Sequence, residues 1–142
     1  NPQNGNFDVT GTGIIGGNLL VKGCFGPVFQ GVAPASTGSM AGYVGANTKC
    51  TQALPGSHLC SSDEVVRSIN CGAFSRTGVN VETGSFWVSS GPPGYTANAN
   101  DCSGWTSAEN TELGPYWLYD ATTGGKGFLS TCNVEKALAC CK

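Results

Sequence analysis

The sequence predicts an α+β fold: a disulfide-stapled head of two helices and small antiparallel sheets, preceded by a short β-rich segment. Three observations predict it. Two helical patterns lie between residues 39 and 72, strand-like alternation dominates from residue 79 onward, and eight cysteines run from Cys24 to Cys141. A chain of 142 residues can bury one sizeable core but not two comfortable ones.

The cysteines show no CxxC…CxxC or CxxC…HxxxH spacing, which argues against zinc and for a disulfide framework made in an oxidising compartment, extracellular or at a cell surface. Charged residues make up only 11% of the chain, against 22 glycines, so the surface is polar, neutral and loop-rich. A net charge of -2 with seven Lys plus Arg leaves no basic stripe for phosphates or anionic headgroups. Nucleic acid and membrane insertion are therefore not expected. Asn1 opens no charged or apolar leader, and the chain is expected to begin inside a longer protein.

Residues 1–32 read as extended. Phe7, Val9, Ile14, Ile15, Leu19, Leu20, Val21, Phe25, Val28 and Phe29 are punctuated by glycines at 11, 13, 16, 17, 23, 26 and 31, too many for a helix. Such strands need a partner surface, either the rest of the domain or two further copies about a threefold axis. The wording from Gly5 to Gly13 and from Ile14 to Gly23 resembles the β-rich stalk repeats of trimeric phage tail fibres and related bacterial fibre proteins. That resemblance implies a homotrimer with residues 1–32 as stalk or collar and residues 33–142 as head.

Residues 33–38, Ala-Pro-Ala-Ser-Thr-Gly, suit a joint between the two. A helix is expected next, capped by Ser39, with Met40, Tyr43, Val44, Asn47, Cys50 and Leu54 at helical spacing and Pro55-Gly56 as its stop. Ser61 and Glu64 form the S-x-x-E capping box of a second helix, whose buried face is Val65, Val66 and Ile69 and which Gly72 ends. Strands are expected at Val79 to Val81, Ser85 to Ser89, Trp105 to Ser107, Gly127 to Thr131 and Lys136 to Cys141. Long loops fill Gly91 to Asp101 and Ala108 to Gly125; their aromatics argue for order.

If Cys60 and Cys71 flank one helix, their α-carbons stand roughly 16 Å apart, too far for a disulfide. Cys140 and Cys141 are neighbours on a strand, so they should staple two different elements, and one bridge should reach the first helix through Cys50. The run Leu54 to Cys60, then Phe86-Trp87-Val88, Asp101 to Ser107, Cys132-Asn133 and Ala137 to Cys141 resembles bacterial C-type lectin-like heads. The resemblance implies that Cys50 meets Cys140 or Cys141, that Cys102 meets Cys132, and that Cys24 joins Cys60 or Cys71.

The calcium-dependent sugar site of that family uses Glu-Pro-Asn or Gln-Pro-Asp and Trp-Asn-Asp sequences, and neither occurs here. The acidic and amide cluster of Asn98, Asn100, Asp101, Glu109, Asn110, Glu112 and Asp120 offers hard oxygens, but solvated loop polars are favoured over a metal site, and no cofactor is expected. Trp87 and Trp105 are expected in the core. Tyr95, Tyr116 and Trp117 are the contact candidates, because aromatic faces stack on sugar rings while Asn98, Asn100, Asp101, Glu109, Asn110 and Glu112 could bond hydroxyls.

His58, the only histidine, is expected to be a structural hydrogen-bonding group. No G-x-S-x-G elbow or phosphate-binding loop accompanies it, and every cysteine can be paired, so catalysis is not expected. The favoured function is a non-catalytic recognition tip of a trimeric surface fibre, binding glycan or another structure on a target cell. A pilin-like filament subunit and a small secreted hydrolase are the alternatives.

Overall fold

The structure, a computed structural model, describes residues 23–76, 81–89 and 99–142. Strand β1 is Phe29–Ser36, helix α1 Gly42–Ala53, strand β2 His58–Leu59 and helix α2 Ser62–Asn70. After a 3-10 turn at Ala73–Ser75 come β3 at Thr83–Trp87, a helical turn α3 at Cys102–Trp105, β4 at Leu113–Asp120, β5 at Lys126–Thr131 and β6 at Lys136–Cys141. The α+β class stands.

The six strands form one sheet in the order β1-β6-β3-β4-β5, with β2 also paired to β6. Only the β3 and β6 pair is parallel, Phe86 to Ala137 and Trp87 to Leu138. Because strand side chains alternate, β6 divides the interior into two small cores. Leu138 and Cys140 face Trp87, Met40, Ala46, Cys50 and Trp105. Ala139 and Cys141 face Phe29, Val65, Phe74, Phe86 and Tyr119 on the other side. β1 serves both cores, since an irregularity between Phe29 and Gly31 shifts its register and sends Phe29 and Ala33 to opposite faces.

β1 corrects the expected joint at residues 33–38. The strand runs across position 32, pairs along β6 from Cys141 to Lys136, and is extended by reciprocal bonds between Val28 and Lys142, so residues 28–36 belong to the head. Pro34 fits because β1 is an edge strand. Residues 1–22, which carry most of the expected stalk, lie outside the described residues.

Two helix expectations change in detail. Met40 is buried, and its amide binds the Trp105 carbonyl, so the chain reverses at Ala41 (φ 61°) and α1 starts at Gly42 without a side-chain cap. Ser39, expected as that cap, gives its hydroxyl to the Thr106 carbonyl. Val44 is 80% exposed, because Tyr43, Ala46 and Cys50 set the buried stripe and Val44 sits on the far side of the turn. Asn47, the polar interruption, accepts the Leu59 amide at 3.0 Å and ties α1 to β2.

The capping box forms as expected: Ser61 Oγ accepts from the Glu64 amide, and the Glu64 carboxylate accepts from the Ser61 amide. The buried face of α2 is Val65 and Ser68, with Ile69 alongside, while Val66 is exposed. Ser68 repays its burial by accepting the Phe29 amide at 2.8 Å and donating to the Glu64 carbonyl.

The later strands shift most. β3 ends at Trp87, leaving Ser89 as a single bridge to Ser61. Residues 105–107 are not a strand. Val79 and Asn80 lie outside the described residues, and Val81 bonds to the Phe74 carbonyl outside any strand. The expected loop from Ala108 to Gly125 contains the eight-residue strand β4. Pro115 is tolerated there because its carbonyl accepts from Val88 just past the end of β3, so its nitrogen faces no ladder partner.

Four disulfides complete the frame: Cys24–Cys71, Cys50–Cys140, Cys60–Cys141 and Cys102–Cys132. Cys60 and Cys71 are separate, and the adjacent Cys140 and Cys141 hold α1 and the chain before α2 to opposite faces of β6. Every cysteine is paired, which indicates folding in an oxidising compartment.

Candidate functional site

The sequence-nominated residues divide into three groups. Tyr95 and Asn98 lie outside the described residues. Asp101 is an internal brace: it is 1% exposed, takes the Gly104 amide at 2.9 Å, and takes the Tyr43 hydroxyl at 3.2 Å. Beside it Asn100 has a left-handed φ of 51° and is half-buried. Burial, then the negative charge of Asp101, pushes the Tyr43 phenol up to about 12.

Asp101 also caps an unusual turn. Cys102, Ser103, Gly104 and Trp105 all have φ between 53° and 69°, and the Trp105 amide bonds to the Asp101 carbonyl, so α3 is one left-handed turn. Each L-residue there costs roughly 1–2 kcal/mol. Burial of Trp105 and the Cys102–Cys132 bridge offset that cost and fix the turn against β4 and β5. Glu112 joins the brace by accepting the Ser103 hydroxyl at 2.8 Å. Asp101 and Glu112 thus both brace this turn, while Glu109 and Asn110 are exposed.

Asp120 accepts from the amides of Thr122 and Thr123, which hold its carboxyl below the usual range, and it closes the turn after β4. Among the described residues, no three His, Cys, Asp or Glu side chains gather in metal-binding geometry. His58 Nε2 lies 2.8 Å from Glu64 Oε1, the carboxylate that also builds the α2 cap.

Tyr116 and Trp117 are the third group, on one strand. They are neighbours on β4, half-buried, pointing to opposite faces of the sheet. Trp117 donates its indole N–H to the Gly124 carbonyl at 2.9 Å, which fixes its ring toward the following turn. Opposite it on β5 stands Gly127, which has no side chain to cover the ring. The result is a groove of about 290 Å³ lined on this face by Ser62, Val88, Pro115, Trp117 and Leu129.

Phe128 and Leu129 were not nominated from the sequence. Phe128 is 40% and Leu129 49% exposed, and β5 is the sheet edge. The signal available was two consecutive large apolar residues in a strand, one of which must face away from any single core. Phe128 stacks on Tyr116 with ring centres 5.6 Å apart. A larger cavity of about 750 Å³ lies between Phe25 and α2. It adjoins residue 23, where the described chain resumes from residues 1–22, so the β4-β5 groove is the better ligand candidate.

The groove can stack a flat apolar surface. Among the described residues, no helix is long and apolar enough to cross a membrane. No protein-family model, curated protein or solved structure matches the chain.

Proposed function

We propose that the chain is the non-catalytic, lectin-like recognition tip of a trimeric surface fibre, binding glycan or another exposed structure on a target cell. One observation carries the reading: the β4-β5 hairpin holds Trp117 and Leu129 part-exposed on one face and Tyr116 and Phe128 on the other, and the Cys102–Cys132 bridge ties the end of β5 to the α3 turn. Exposed aromatic surface on a rigid scaffold is costly unless it meets a partner. The Cys50–Cys140 and Cys102–Cys132 bridges also agree with the pattern that the lectin-like resemblance implies.

A shallow groove binds weakly, and three heads on one stalk multiply it by avidity. The test is an envelope-glycan array probed with the wild type, Tyr116→Ala and Trp117→Ala. Binding by the wild type that is lost in both variants supports the hairpin as the recognition element. Binding that survives both variants moves recognition elsewhere, and no binding to any glycan removes the glycan reading.

A filament subunit is the second reading, favoured by the open edge of β5, where residues 126–129 are all exposed. Sedimentation showing open-ended assemblies that Leu129→Lys abolishes would select it.

A further inference from the structure

The other face of the same hairpin carries a second feature. Register places Ser85 beside Leu118 and Leu118 beside Lys126, with Trp87, Tyr116 and Phe128 in the next row. Lys136 shares this face, because it lies two residues before Leu138, the partner of Trp87. The result is an open shelf with a row of aromatic rings along one side and a lysine at each end.

Neither lysine is neutralised by an ion pair among the described residues. Lys136 Nζ stands 4.1 Å from the Tyr116 ring centre, and Lys126 Nζ 5.4 Å from that of Phe128. The rings hold the two ammonium groups in place without discharging them. Leu118 and Phe128, between and beside them, are 41% and 40% exposed. Asp120, on the same face, has its carboxylate turned to the amides of Thr122 and Thr123. Two of only seven basic residues in a chain of net charge -2 thus flank one aromatic shelf.

The geometry points to an anionic glycan as the ligand class: the sugar lies against the exposed Leu118 and Phe128 surface while its carboxylate or phosphate meets Lys126 and Lys136. This inference rests on the glycan-recognition reading above and sharpens it. The apolar surface supplies contact with the sugar's C–H face, and the ammonium groups supply charge-assisted hydrogen bonds that select acidic over neutral sugars.

The experiment measures affinity by calorimetry for three probes: a short oligogalacturonate, a phosphorylated oligomannose and an uncharged oligogalactoside. Each is tested against the wild type, Lys126→Gln/Lys136→Gln and Lys126→Arg/Lys136→Arg, with thermal melts confirming that all three are folded. The wild type should prefer at least one acidic probe by about tenfold or more, the Gln pair should lose that margin, and the Arg pair should keep it. Preference for only one acidic probe supports the inference and identifies the anion as carboxylate or phosphate. Equal affinity for neutral and acidic probes overturns the inference and leaves the glycan reading standing. An acidic preference that survives in the Gln pair overturns the placement on this shelf. Wild type that binds no probe overturns the inference, and if the envelope array is blank as well, the glycan reading falls with it.

Discussion

Tyr43 ties α1 to the left-handed turn through one hydroxyl, and its titration reports that tie. Its folded pKa of about 12 lies above the ordinary tyrosine value of 10, so the proton is held more tightly in the folded chain. The stability it contributes is complete below pH 10 and is lost as pH rises from about 10 to about 12. A spectrophotometric titration should show two tyrosines ionising late, because burial and then the charge of Asp120 also raise Tyr119; the Tyr43 midpoint should lie at about 12. Asp101→Asn should lower that midpoint part of the way toward 10, since burial is the larger cause and remains.

Gly114 makes a second residue-scale test, because a β-carbon there would sit about 2.5 Å from Cys102 Sγ and against the Trp87 ring. Gly114→Ala should cost about 1–3 kcal/mol in urea unfolding by overpacking the bridge. The sequence showed Asp101 and Glu112 only as polar loop residues. What made them structural is a run of left-handed φ angles, which no residue preference announces when Cys, Ser and Trp adopt them.

At the scale of elements, α2 was legible because its start is written locally: Ser61 and Glu64 close reciprocal bonds within four residues. Ser61→Ala should cost about 1 kcal/mol, read from denaturant midpoints. β4 was not legible, since Gly114-Pro115 at its start reads as a turn, and only the end of β3 explains why a proline fits there. The boundary of β1 failed for a similar reason: small residues at 33–36 read as a joint, whereas pairing to β6 makes them a strand. On the α2 side of the sheet, Phe74 is stacked between Phe29 at 4.2 Å and Tyr119 at 4.0 Å. Phe74→Ala should therefore cost about 3–5 kcal/mol, measured in the same way.

Across the whole molecule, the disulfides join residues 47, 90, 81 and 30 apart, so they hold together two cores that are each small. Loop-closure entropy makes the Cys50–Cys140 bridge the most valuable, about 4–5 kcal/mol. The cysteine count made a stapled head legible; which faces the staples join required the alternation of β6. The proposed trimer should scatter light as three times the 14.5 kDa chain, and a stable monomer of the full 142 residues would remove the stalk reading while leaving the head intact.

The central claim is that the β4-β5 hairpin is the recognition face. Chemical-shift mapping of the head during titration with the strongest array ligand tests it most directly. The account predicts shifts concentrated in residues 113–131 and at Val88 and Lys136. Shifts confined to α1 and α2, with the hairpin unchanged, would contradict it.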